Sequence, residues 1–183
     1  MRSCLHYLLA CIMLSITAPA MGQAEMQPAM MRLGTTADAA SVGTARMVGA
    51  ILEYTHWPTP RSHIQLCVTG MPKYAGRLTD IQPSSGAPLT IVPVGERQSL
   101  TAVQCDALYI GRVDAVEMRR LIGEVRGKPV LTIAEDDPEC RGGSIFCLTF
   151  TPKTVSFDLS IDAVSRSAVR IDPRVLRLSQ GAY

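Results

Sequence analysis

The spacing of apolar residues changes along the chain, and each spacing predicts a different kind of element. A first helix is predicted to follow Asp38, a residue type that caps helices. It is expected to end near His56, because Trp57 precedes a proline and residues in that position avoid helical angles. Its apolar residues share one helical face: Val42, Ala45, Val48, Ile51 and Leu52.

Two further helical segments are predicted in the middle of the chain. Pro72 stands where a first helical turn tolerates proline, so a helical turn is expected there. Asp114 is expected to cap another helix. The apolar positions of that helix are predicted to lie inward: Val116, Leu121, Ile122 and Val125.

Short runs of branched apolar residues alternate with these helices and predict strands. They lie at residues 63–70, 88–94, 105–111 and 128–135. Such alternation suggests parallel strands joined by crossovers. The pattern then changes, because residues 143–150 and 155–161 flank the turn TPKT and predict an antiparallel hairpin, before two short helices. The predicted fold class is α/β, with a mixed sheet of about six strands flanked by helices.

The first residues have the pattern of a secretory signal peptide. One arginine precedes an apolar run from Leu5 to Ile16, which is too short to span a bilayer as a mature helix. The letters APA, ending at residue 20, form a small-x-small cleavage pattern. We therefore expect residues 1–20 to be removed and the protein to be exported, although a cut after Ala24 also fits.

The stretch after the signal peptide has no apolar period. Residues 21–37 mix Met, Gln, Pro and Gly and are expected to form a flexible leader. The folded domain is expected at residues 38–183.

Composition and charge narrow the classes of function. The 183 residues are 47% hydrophobic. The formal net charge of +2 is too small to favour electrostatic binding to nucleic acid. His56 and His63 are the histidines outside the signal peptide, and no Ser-His-Asp or Cys-His arrangement suggests itself. We therefore expect no nucleic-acid partner, no cofactor and no enzymatic activity.

The cysteines indicate disulfide bonds. Of six cysteines, Cys4 and Cys11 lie in the predicted signal peptide. The remaining ones form an even set, which in an exported chain favours disulfides and allows three pairings: Cys67, Cys105, Cys140 and Cys147. A zinc site is disfavoured because Cys140 and Cys147 are too far apart in sequence and no histidine is near them. A thioredoxin-like centre is disfavoured because no pair has the two-residue spacing.

One pairing is favoured by the local sequence. Gly142 and Gly143 allow the chain to turn back between Cys140 and Cys147, which leaves Cys67 to pair with Cys105. The short loop is expected to contribute about 2–3 kcal/mol, and the longer one roughly 3–4 kcal/mol. The acidic run EDDPEC at residues 135–140 lacks the spacing of a calcium loop and is interpreted as a solvated acidic loop.

The chain resembles the YfiR family of periplasmic proteins across residues 40–180. The resemblance is carried by segments in a fixed order: ILEYTHWP (51–58), IQLCVTG (64–70), CDALYIG (105–111), VLTIAE (130–135), GGSIF (142–146) and VSFDLSIDAV followed by VRIDPRVLRLS. It implies the same disulfide pairing and a dimer. Ser160 departs from the asparagine that is usual in that strand of the family, which puts the identity of the partner in doubt more than the fold.

The resemblance also implies a function. The family's best-known member represses an inner-membrane diguanylate cyclase (YfiN-like) by binding its periplasmic sensing domain, and an outer-membrane lipoprotein (YfiB-like) captures the repressor. We therefore expect a repressor that lowers cyclic di-GMP and biofilm formation. Because reduction of disulfides destabilises a fold, its action is expected to be redox-sensitive. The alternative is a small-molecule-binding module that acts with a membrane sensor such as a histidine kinase.

Four residues are candidates for binding. The resemblance assigns Asp158 and Val164 to partner contact, although ordinary surface is equally compatible with both. Phe157, Leu159 and Ile161 are expected to alternate into the core. The other two candidates are Trp57, as a partner anchor or as a lid over the core, and Arg170, as a ligand-binding cation or an ordinary surface residue.

Overall fold

The structure is a computed structural model that describes residues 29–34, 38–95 and 97–180. The predicted signal peptide and most of the predicted leader lie outside the described residues. In the part of the chain that is described, no helix is both long and apolar enough to cross a membrane.

Two sheets are formed by the described residues, and they confirm the predicted α/β class. The strands are β1 (Ala29–Arg32), β2 (Thr55–His56), β3 (Ile64–Thr69), β4 (Leu89–Pro93), β5 (Ala107–Ile110), β6 (Leu131–Ala134), β7 (Phe146–Phe150), β8 (Thr154–Leu159) and β9 (Arg170–Ile171). The large sheet has the order β1-β8-β7-β6-β5-β3-β4, and β2 pairs with β9 in the small one. Neighbours from β4 to β7 are parallel, whereas β8 and β1 join antiparallel. The parallel part and the C-terminal hairpin therefore lie in one mixed sheet, as expected.

Helices cover both faces of the large sheet. The α-helices are α1 (Ala39–Glu53), α2 (Ala115–Val125) and α3 (Ile161–Ser165). Tighter 3-10 helices lie at Ala75–Asp80, Leu100–Ala102, Pro138–Cys140 and Pro173–Gln180. The Asp114 carboxylate caps α2 by accepting from two backbone N–H groups, at 2.8 Å each. The Asp38 side chain makes no such bond at the start of α1.

Alternation of side chains along the strands produces two hydrophobic cores. The larger core lies between the sheet and α1, where Met47, Val48 and Ile51 meet strand residues such as Ile133 and Phe146. The smaller core lies on the α2 face. The C-terminal hairpin is held in the larger core by Phe146 and Phe157, whose rings meet edge to face with centroids 5.1 Å apart.

The inward face of α2 differs from the prediction at one position. Val116 is 68% exposed, whereas Met118, Leu121 and Val125 are buried. Positions three and four apart share a helical face, so the buried set leaves Val116 on the opposite side of the helix. The expectation that Val116 lies inward was therefore wrong.

The expected leader contributes a strand. Residues 29–32, which were predicted to belong to the flexible leader, form β1 at the edge of the large sheet and pair with β8. Met31 and Leu33 turn toward the larger core. Leu33 can approach α1 because Gly43 has no side chain, and a Cβ there would overlap the end of the Leu33 side chain. The folded domain thus begins before residue 38.

The end of α1 lies slightly earlier than predicted. The helix ends at Glu53, and Thr55 and His56 form β2 against β9 instead of a last helical turn. The segment after Pro72 forms a 3-10 helix, and so does the segment that begins at Pro173.

Two disulfide bonds lie on the α2 side of the sheet. Cys67 bonds Cys105, with Cα atoms 5.7 Å apart, and Cys140 bonds Cys147, with Cα atoms 5.5 Å apart. All the bonded cysteines are buried. The first bond ties β3 to the segment before β5, and the second closes the loop between β6 and β7. The pairing is the one that the local sequence favours.

We predict that the two disulfides contribute unequally to stability. Replacing Cys67 and Cys105 together by alanine is expected to lower the free energy of unfolding by roughly 3–4 kcal/mol, and replacing Cys140 and Cys147 by about 2–3 kcal/mol, because the longer loop loses more entropy when closed. Urea denaturation of the mature protein measures both values. A larger loss for the shorter loop would contradict this explanation.

Candidate functional site

The end of β8 and the start of α3 form an exposed surface. Asp158 is exposed near the end of β8, on the opposite side of the strand from the buried Phe157. The chain then changes from strand to helix at Ser160, whose hydroxyl accepts from the Ala163 N–H at 3.2 Å and caps α3. Because serine and asparagine are both good capping residues, the departure from the family pattern at this position preserves the turn.

The burial of the apolar residues on this surface was predicted only in part. Val164 is half-buried and packs beside the larger core. Leu159 is also half-buried, but Ile161 is 72% exposed. The expectation that Ile161 points into the core was wrong, because the strand ends at Leu159 and Ile161 begins the helix. Ile161 and Val164 are three residues apart on α3 and so lie on neighbouring parts of its surface.

This surface is connected directly to the short disulfide loop. Asp158 is the register partner of Cys147 across the antiparallel pair of β7 and β8. Residues directly opposite in such a pair project on the same face of a sheet. The position of Asp158 therefore depends on the strand that the Cys140–Cys147 bond anchors. We define Asp158, Ile161 and Val164 as the hairpin–α3 surface.

Trp57 lies elsewhere and has a packing role. Its ring packs beside the larger core and is half-buried. The indole N–H donates to the Asp106 carbonyl at 3.1 Å, just before β5. β5 and β8 are separated by two strands in the sheet order. The structure therefore does not bring Trp57 together with Asp158.

Arg170 lies on the small sheet. It is exposed on β9 and is the register partner of His56. Nearby, Asp172 accepts two hydrogen bonds from the Arg174 guanidinium, at 2.9 and 2.6 Å, and one from its backbone N–H. These bonds lower the pKa of Asp172 to about 2. Arg170 does not line the crevice at the carboxyl ends of the parallel strands.

A crevice lies at the carboxyl ends of the parallel strands, where open α/β sheets often bind ligands. Its wall residues follow β3, β5 and β6 in the chain or lie at the end of β7. They are Met71, Lys73, Tyr74, Arg112, Glu135, Asp136, Asp137, Pro138, Leu148, Thr149 and Phe150. The cavity volume is about 330 Å³.

Glu135 anchors the wall of this crevice. It is only 7% exposed. Its carboxylate accepts from the Tyr109 hydroxyl at 2.8 Å, from the Tyr74 N–H at 2.6 Å and from the Lys73 N–H. Burial raises the pKa of Tyr109 above its usual value, and the Glu135 carboxylate raises it further. Tyr109 therefore remains a hydrogen-bond donor to Glu135 at neutral pH.

The acidic run is a structural motif rather than a solvated loop. Glu135 and Asp137 are both buried. Asp137 accepts from the Gly142 N–H at 2.7 Å, inside the loop that the Cys140–Cys147 bond closes. The interpretation of the whole run as solvated was wrong for these two residues. The donors to Glu135 come from distant parts of the sequence, and the donor to Asp137 lies inside the disulfide loop that follows it. Of the four carboxylates in the run, Asp136 and Glu139 are exposed.

We predict that Glu135→Gln destabilises the fold. The amide would present donor hydrogens to neighbours that are themselves donors, so at least one buried N–H or O–H would lose its acceptor. The expected loss in the free energy of unfolding is about 1–3 kcal/mol, measured by urea denaturation.

The control for that variant is Asp136→Asn. Asp136 is the next residue in the chain, but it is exposed and lies 3.7 Å from Arg112, so its loss is expected to change stability by less than about 0.5 kcal/mol. Equal effects of the two variants would contradict the anchoring role of Glu135.

These features define a disulfide-stabilised α/β domain with a contact surface beside α3 and a crevice at the strand ends. A family model described as DUF4154: YfiR/HmsC-like matches residues 42–180. The chain therefore belongs to the YfiR/HmsC-like family. This family consists of periplasmic, regulatory rather than catalytic proteins, and membership indicates a regulator of diguanylate cyclase signalling that interacts with a membrane diguanylate cyclase.

Proposed function

We propose that the protein binds the periplasmic sensing domain of an inner-membrane diguanylate cyclase through the hairpin–α3 surface and represses the enzyme. The observation that supports this is an exposed isoleucine, Ile161, three residues after the exposed Asp158 and three before the half-buried Val164. An exposed apolar side chain rimmed by charge is typical of an interaction site. The family independently implies a membrane cyclase as partner.

The repressor would act by differential affinity. A protein that binds the inactive state of the sensor more tightly than the active state shifts the equilibrium between those two states. The size of the shift is set by the difference between its two binding free energies. Repression would lower cyclic di-GMP and biofilm formation. The same proposal includes two features that rest on family membership. The first is capture of the protein by an outer-membrane lipoprotein (YfiB-like), and the second is formation of a homodimer.

Substitutions on the hairpin–α3 surface test the proposal. Asp158→Lys reverses an exposed charge, so it is expected to reduce cyclase binding about tenfold or more while the melting temperature stays unchanged. The measurement is the amount of cyclase polypeptide, quantified by mass spectrometry, that co-purifies with the protein from solubilised membranes. Ile161→Asp and Val164→Asp are expected to act in the same direction, and thermal melting shows whether the half-buried Val164 tolerates the change.

The matched control is Asp80→Lys, which reverses an exposed charge at the end of the 3-10 helix Ala75–Asp80. Asp80 pairs with Arg77 at 2.6 Å, but both side chains are about half exposed and the pair contributes little. If Asp80→Lys reduced binding as much as Asp158→Lys, the assigned surface would be wrong.

We also propose that repression is redox-sensitive. The Cys140–Cys147 bond anchors the strand that positions Asp158, so its reduction is expected to weaken cyclase binding. The wild-type protein is titrated with a reductant and compared with the Cys140→Ala/Cys147→Ala variant, which should already bind weakly and respond less. Binding that stays constant across the titration, in a protein shown to be reduced, would contradict the redox proposal while leaving the surface proposal intact.

The crevice at the strand ends favours a second candidate function, the binding of a small molecule by a module that accompanies a membrane sensor such as a histidine kinase. Arg170 lies outside this crevice, so we assign the ligand to the crevice residues instead.

A further inference from the structure

The crevice has the size and position of a ligand site. A volume of about 330 Å³ falls in the range of small-molecule pockets. The loops of the crevice come from the ends of different strands, as in other open α/β sheets.

The floor of the crevice is held in place by the backbone. Met71 and Arg112 exchange two backbone hydrogen bonds, at 3.0 and 3.2 Å, and so join the loops after β3 and β5. Gly111 allows this approach, because a Cβ there would overlap the backbone of Met71 and Pro72. Glu135 then fixes the Lys73 and Tyr74 N–H groups from the side of β6. The crevice is therefore formed without a ligand.

Two of the three carboxylates that line the crevice, Glu135 and Asp137, already have partners. Glu135 accepts three hydrogen bonds, and Asp137 accepts from the Gly142 N–H. Asp136 faces Arg112 at 3.7 Å, with both side chains more than half exposed, and such a pair is weak. A ligand that requires a buried anion would have to displace existing bonds of Glu135 or Asp137.

Lys73 and Arg112 make weaker contacts than Glu135 and Asp137 do. Lys73 is exposed, and its ammonium lies 5.0 Å from the centre of the Tyr74 ring. Among the described residues it makes no ion pair within 4.0 Å. Arg112 can exchange its weak contact with Asp136 for a ligand at little cost. Two cationic groups are thus available at the mouth of the crevice.

The wall beside Lys73 is aromatic. Tyr74 and Phe150 contact each other with ring centroids 4.3 Å apart, and both are only half-buried. Leu148 adds buried apolar surface from β7. A flat apolar group can contact these rings while a negative charge on it reaches Lys73 or Arg112.

We propose that the crevice binds a small aromatic carboxylate, whose ring contacts Tyr74 and Phe150 and whose carboxylate binds Lys73 and Arg112. This inference does not depend on the hairpin–α3 surface, because binding of a small molecule to the purified protein is measured without any membrane partner. Either proposal can fail while the other holds.

Isothermal titration of the mature, oxidised protein with three ring compounds tests the proposal. Benzoate carries the required charge, benzamide has nearly the same shape without charge, and benzylamine carries the opposite charge. Benzoate is expected to bind at least about tenfold more tightly than benzamide, since charge-assisted hydrogen bonds are the stronger class. Benzylamine is expected to bind most weakly.

Substitutions of the two cationic residues test whether they bind the carboxylate of the ligand. Lys73→Met and Arg112→Met are each expected to weaken benzoate binding about tenfold while leaving benzamide binding unchanged. Lys153→Met is the matched control, because Lys153 is an exposed lysine in the turn between β7 and β8 and does not line the crevice. It should bind benzoate as the wild type does.

Three results would overturn the proposal. They are no binding of benzoate at millimolar concentration, equal or tighter binding of benzylamine, and equal effects of Lys73→Met and Lys153→Met. Thermal melting of each variant distinguishes loss of the site from loss of the fold.

Discussion

The Cys140–Cys147 bond is the constraint on which both candidate sites depend. It closes the loop between β6 and β7 on the face of the sheet that has the smaller hydrophobic core. Asp137, which lines the crevice, accepts from the Gly142 N–H inside the disulfide loop, and Cys147 in β7 faces Asp158 across the hairpin. One covalent bond thus holds a wall of the crevice and the strand next to the contact surface. The Cys67–Cys105 bond secures the same face of the sheet near β3 and β5.

The polar groups at the strand ends complement this covalent constraint. Parallel strands end in loops that cannot pair with one another regularly, and here a single buried carboxylate supplies the missing acceptor. Glu135 joins the loop after β3 to β5 and β6 through three hydrogen bonds. Glu135 is held inside the wall by these bonds, and the exposed charged side chains that line the crevice are Lys73, Arg112 and Asp136.

Much of the fold could be predicted from local patterns. The strands from β3 to β8 were predicted because runs of branched residues and the turn TPKT are visible in short windows of sequence. The disulfide pairing followed from Gly142 and Gly143. What could not be predicted depends on distant contacts: β1 is a strand only because β8 lies beside it, and Glu135 is buried only because loops after β3 reach it. Ile161 was misplaced because the change from strand to helix at Ser160 reverses the direction that simple alternation assigns.

The path of the chain brings its two described ends to one place. β1 forms the outer edge of the large sheet, and the last helix, Pro173–Gln180, packs against it. Both described ends therefore lie at the edge of the sheet where β1 pairs with β8, the strand that carries Asp158. A fluorescent label attached at either described end, residue 29 or residue 180, would crowd this edge of the sheet, so a label in the exposed stretch between the 3-10 helix Ala75–Asp80 and β4 is the less intrusive choice.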